Sequence, residues 1–233
     1  MKQRNNITYY VIISTIAAVL ILIVAFISLL ENHCVILFDK YAVSMIFVTS
    51  LIFGLSIALY PGWIKRFFKK KKVNSNDNNQ LKNRKYQGHH PDCNEFISHT
   101  IKIKKKIYCA GCFGLAIGAI ISMLLVIIYI FIIENILSTL SLLFIVLGDI
   151  IIGFSFYEIN KQNRNTHIHI LSNILLVVSF FLITIGLLEI TGDKIFGIIG
   201  IIFSFLWLDT RVQLSKWKHE NICQKCKKSC KMY

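Results

Sequence analysis

Residues 89–118 read HHPDCNEFISHTIKIKKKIYCAGCFGLAIG. Three histidines and three cysteines fall in the first 24 positions, and the segment then runs without a break into a long apolar stretch. Closely spaced Cys and His are the chemistry of a metal site in a reducing compartment. About 20 consecutive apolar residues are the chemistry of a helix that crosses a bilayer. The join between the two, at Cys109 and Cys112, decides how the rest of the chain is read.

The chain has 233 residues, 55% of them hydrophobic. The apolar residues come in runs rather than in periodic faces, so the chain reads as an integral membrane protein. Only two prolines occur, and neither lies inside an apolar run. Helices are expected throughout the membrane region, because a helix satisfies its own backbone in lipid. Six spans are expected, at about 7–30, 41–60, 113–133, 139–157, 169–190 and 195–208. A five-span reading that drops the short sixth is the competitor. The first run is too long for the apolar core of a signal peptide and lacks a small-residue cleavage site.

Charge sets the expected orientation. With six spans both termini share a side, and that side carries 24 of the 26 Lys and Arg. Only Lys40 and Lys194 remain opposite. The positive-inside rule then puts both termini in the cytoplasm, against an anionic inner leaflet. The net charge of +14 is explained by topology rather than by nucleic acid, since the polar tether at 73–88 offers only Tyr86 for stacking on bases. Trp63, Trp207 and Trp217 are expected as interfacial anchors at span ends. The connections on the far side are too short for a receptor or catalytic domain.

The expected organisation follows: spans one and two in 1–60, a basic run and flexible tether in 61–88, a Cys/His knuckle in 89–112, spans three to six in 113–210, and a Cys-rich cytoplasmic tail in 211–233. The tether, VNSNDNNQLKNRKYQG at 73–88, has almost nothing to bury.

In the knuckle the candidate ligands are His89, His90, Cys93, His99, Cys109 and Cys112. Two thiolates three positions apart grip one ion when the backbone between them turns sharply, and Gly111 permits a turn at no steric cost. Cys93 with His90 or His99 completes a tetrahedral Cys3His set, the form of a closed structural zinc site. Between the two ligand groups TIKIKKKIY, at 100–108, suits a short hairpin. Zinc is favoured over iron–sulfur by the mixture of His with Cys. A redox reading is the alternative, because a helix N-terminus favours the thiolate. Gly114 and Gly118 form a GxxxG face on the third span, for close approach of another helix.

The segment CAGCFGLAIG, with His and Cys upstream, resembles the hallmark of uncharacterised prokaryotic multi-span membrane proteins. Their central motif is Cys-x-x-Cys-x-Gly at the start of a transmembrane helix. Cys109, Cys112 and Gly114 match it. The resemblance covers about 30 residues and implies a multi-span protein without implying an activity.

The tail holds a second constellation. His219, Cys223, Cys226 and Cys230 supply four ligands in 12 positions, enough for one tetrahedral ion. With few apolar residues there, metal is expected to fold the tail. One or two zinc ions follow, in two sites or in one shared unit. Asp149 lies near the middle of the fourth span, where a carboxylate is costly. It is expected either as a proton or cation site, or protonated and hydrogen-bonded to a neighbour such as Ser122. His167 and His169, at the inner edge of the fifth span, read as interfacial side chains in preference to extra metal ligands.

No phosphate-binding loop, HExxH or Gly-x-Ser-x-Gly occurs. The expected function is a zinc-binding scaffold or regulatory membrane protein. The alternatives are a transporter using Asp149 and, less favoured, a membrane metalloenzyme or thiol redox protein.

Overall fold

The computed structural model describes residues 2–30, 34–59, 86–87, 100–103, 106–133, 136–161 and 165–225. Among these, six helices are long and apolar enough to cross a membrane. They are α1 (Lys2–Ser28), α2 (Leu37–Leu59), α3 (Ala110–Phe131), α4 (Ser138–Asn160), α5 (Thr166–Thr191) and α6 (Lys194–Lys225). The six-span expectation therefore holds, and the protein is a multi-pass helical membrane protein. The cap expected on the metal ligands stands apart from this: His89, His90, Cys93, His99, Cys226 and Cys230 lie outside the described residues.

The sixth helix departs most from expectation. It does not stop near residue 208 but continues to Lys225, with a crossing segment of Lys194–Lys218. Residues 211–225 are thus the end of a helix rather than an irregular tail. His219 and Cys223 fall within it, four positions apart.

Local chemistry fixes the ends of α5. Asn165 caps its start, its side-chain oxygen accepting from the His167 N–H at 3.0 Å. Gly192 ends it in the left-handed conformation, φ 67°, where a residue without Cβ is at ease. Between these ends α5 is the hub of the bundle: 78% of its span is buried, against 22–39% of the other five. It packs chiefly on α3, α4 and α6, and α2 packs on α3 and α6. Ile183, Ile185, Leu187, Leu188 and Ile190 of α5 are essentially inaccessible.

Two contacts tie the first helix to the last. Ser14 Oγ lies 2.7 Å from Thr210 Oγ1, and Trp207 Nε1–H donates to the Ser14 carbonyl at 3.1 Å. The middle of α1 therefore packs on the middle of α6, and with six helices crossing in alternate directions the start of α1 and the end of α6 share one face of the bundle. Trp207 is fully buried by this arrangement, so it is a core residue bridging two helices and not an interfacial anchor.

On the terminal face a small sheet sits at the root of α3. β2 (Thr100–Ile103) and β3 (Lys106–Cys109) form the expected hairpin, with Thr100 opposite Cys109 and Ile101 opposite Tyr108. β1 (Tyr86–Gln87) adds a parallel edge, giving the order β1-β3-β2. The segment read as a tether thus contributes two residues to a sheet.

Candidate functional site

β3 ends at Cys109 and α3 starts at Ala110, so the Cys-x-x-Cys segment straddles a strand-to-helix junction. Cys109 has extended backbone (φ −71°, ψ 124°) and its thiol caps nothing. Cys112 stands in the first helical turn. The two thiols are hydrogen-bonded to each other and form no disulfide. The junction itself brings them together, and Gly111 makes no sharp turn: it is helical, and the one described glycine with positive φ is Gly192. What position 111 requires is space. A Cβ there would lie 3.2 Å from His169 Nε2, 3.8 Å from Asn173 Nδ2 and 3.8 Å from Cys109 Sγ.

The GxxxG face behaves as expected. A Cβ on Gly114 would come within 2.6 Å of the Ile170 carbonyl oxygen, and one on Gly118 within 2.9 Å of that of Ile174. Both contacts are with α5 backbone, so the two glycines set how closely α3 approaches the hub.

Directly behind the cysteine junction lies a buried polar network that the sequence reading missed. Its centre is Arg211 of α6, 4% exposed, which had been read as part of a soluble tail. Arg211 Nε–H donates to Asn173 Oδ1 at 3.0 Å. Its Nη1 donates to the Ser155 carbonyl at 2.7 Å and to the Ser155 hydroxyl. Nη2 lies 3.4 Å from Ser172 Oγ and 3.7 Å from Glu158 Oε2. Glu158, 3% exposed, also accepts from His169 Nδ1 at 3.2 Å. Asn173 in turn donates to the His169 carbonyl at 2.6 Å. One guanidinium thereby joins α4, α5 and α6, and its partners satisfy a charge that would be costly in the span if left alone.

His169 is consequently buried and oriented rather than interfacial. A carboxylate only accepts, so the ring's Nδ1 carries the proton toward Glu158, and Nε2 faces Gly111. The signal that could have found this network is the coincidence of Glu158, His169 and Arg211 at one membrane depth, on three helices whose crossings run in alternate directions.

The opposite face has its own cluster. Tyr129 donates to Glu189, Lys40 donates to the Ile133 carbonyl and sits 4.3 Å over the Tyr129 ring, and Lys194 pairs with Asp39 at 3.1 Å. The two lysines counted on the far side are thus each tied to another helix or its end.

Asp149 differs from all of these. Both carboxyl oxygens are buried with no hydrogen-bond partner among the described residues, and so is Ser122 Oγ. The bond proposed between Asp149 and Ser122 is absent because α3 and α4 pack chiefly on α5, not on each other.

Among the described residues no three His, Cys, Asp or Glu side chains converge tightly enough to hold a metal ion as they stand. Comparison with family models, with curated proteins and with solved structures finds no match to the chain.

Proposed function

We propose that this multi-pass protein is a zinc-binding membrane scaffold, in which one ion at Cys109 and Cys112 pins the polar 61–112 segment to the mouth of the bundle. The observation that carries this reading is the strand-to-helix junction, which presents two thiols in mutual contact at the root of a span. Such a pair needs further ligands to make a closed tetrahedral site. Cys93, His90 and His99 are those the sequence offers upstream. The tail ligands His219, Cys223, Cys226 and Cys230 supply a second ion or share the first. The resemblance to proteins with Cys-x-x-Cys-x-Gly at a helix start supports the same reading.

In this account the terminal face is cytoplasmic. The support is the distribution of Lys and Arg, 24 of which lie at the start of α1, in the inner connections, or in the second half of α6 and beyond it, with Arg211 of that set drawn into the bundle. A reducing compartment keeps the thiols available to metal, and the basic residues meet anionic lipid.

The test is zinc per chain after purification under reducing conditions, in wild type and in the double variants C109S/C112S and C223S/C226S. Two ions in wild type with one lost in each variant supports two sites. One ion lost in both supports a single shared site. Wild-type protein without tightly held zinc overturns the proposal.

A second reading has one observation in its favour. Asp149 is a carboxylate inside a span with neither oxygen partnered among the described residues, as a cation or proton site would require. A metal or proton permease using Asp149 predicts flux in liposomes that D149N abolishes. Flux that is absent, or indifferent to D149N, removes it.

A further inference from the structure

We propose that His169 is the imidazole ligand of the ion held by Cys109 and Cys112, and that Glu158 is the residue that positions it. The inference rests on the zinc-binding reading above and goes beyond it by bringing a ligand from the bundle itself rather than from the upstream loop.

Three observations converge. First, His169 Nε2 and Cys109 Sγ lie 3.2 Å and 3.8 Å from one point, the place a Cβ on Gly111 would occupy. The residue between the two cysteines is the one whose missing side chain lets the imidazole in. Second, the ring is held from behind: Nδ1 donates to Glu158 Oε2 at 3.2 Å, which leaves Nε2 as the acceptor nitrogen. A metal-bound imidazole almost always gives its other N–H to a carboxylate or carbonyl in this way, which fixes the tautomer and raises the ring's basicity as a ligand. Third, the holder is itself held. Glu158 Oε2 lies 3.7 Å from Arg211 Nη2, and Arg211 is anchored on Asn173, Ser155 and Ser172.

The ion this arrangement suits is a borderline divalent cation of the zinc class, bound by two thiolates and one imidazole with one further position. As the thiols stand they bond to each other. Binding would replace that contact: the two thiols would give their protons to water and both sulfurs would serve as thiolate ligands with Nε2. The ion would then join β3 and α3 directly to α5, the most buried helix.

The experiment uses the full-length detergent-solubilised protein, with cobalt(II) as spectroscopic probe and zinc competition for affinity. Wild type, H169Q, H167Q and E158Q are compared. The expected result is thiolate-to-cobalt charge transfer in every variant. H169Q should shift the visible ligand-field bands and weaken zinc at least tenfold. E158Q should weaken zinc by about 10- to 100-fold, the effect typical of losing the group behind a ligating imidazole. H167Q, whose exposed side chain lies at the same helix end, should match wild type. If H169Q fails to fold, G111A, which crowds Nε2 without removing the ring or its partners, decides: zinc weakened about tenfold supports the inference and unchanged affinity overturns it. Wild-type binding with bands and affinity unchanged in H169Q, or unchanged in E158Q, overturns this inference while the zinc reading stands. No cobalt or zinc binding by wild type overturns both.

Discussion

Gly111 and His169 meet across the α3–α5 boundary so closely that a single methyl group would touch the imidazole: its carbon would stand 3.2 Å from Nε2. The contact is tighter than ordinary van der Waals packing, and Cys109 Sγ lies 3.8 Å from the same point. G111A is therefore expected to displace the ring and weaken zinc by roughly tenfold, as changes to the support of a metal ligand do. The metal-free protein should melt almost as wild type does. Equal zinc affinity in G111A would mean that the closeness is packing alone.

Gly114 and Gly118 make the opposite kind of contact. Their would-be Cβ atoms meet α5 backbone at 2.6 Å and 2.9 Å, and backbone does not rotate away. G114A and G118A should each lower stability by about 1–3 kcal/mol, the usual cost of forcing extra volume into a packed interface. Thermal unfolding in detergent measures this. The loss should appear with and without zinc, which separates these positions from Gly111.

Arg211 and Glu158 form a buried pair in which each member leaves an uncompensated charge when the other is removed. R211M is expected to destabilise by about 3–5 kcal/mol. R211K should not restore it, since an ammonium cannot reproduce the fork that reaches Asn173, Ser155 and Ser172 together. A cycle combining R211M with E158Q should show a double variant less damaged than the two single losses predict, with a coupling of about 0.5–3 kcal/mol. Additive losses would contradict the pairing.

Asp149 gives a prediction of the other sign. Because neither oxygen has a partner among the described residues, replacing it with a neutral isostere removes nothing from the fold. D149N should be as stable as wild type or more so, measured by the same melting. A loss above about 1 kcal/mol, the net worth of a typical hydrogen bond, would reveal a partner.

The spans were legible because lipid demands it: uninterrupted apolar runs leave a helix as the only local solution, and α5 was read to within three residues at its start and one at its end. The hairpin at 100–109 was legible from its alternating isoleucines. The end of α6 was not. Asp209 and Arg211 look like the edge of a membrane until Glu158, Asn173, Ser155 and Ser172 are seen around the guanidinium, and those partners come from two other helices. His169 was discounted for the same reason, since position along a helix does not reveal the carboxylate behind a ring. Trp207 was misread as an anchor because its partner, the Ser14 carbonyl, is 193 positions away. The cysteine junction was found as a motif, but the role of Gly111 was misassigned to a turn, because sequence shows that a side chain is missing and not what fills the space.

The most direct measurement is zinc per chain in reduced, purified wild-type protein beside C109S/C112S. The account predicts at least one tightly held ion in wild type and the loss of one ion in the variant. Wild type without zinc, or a variant that keeps its full content, would contradict it.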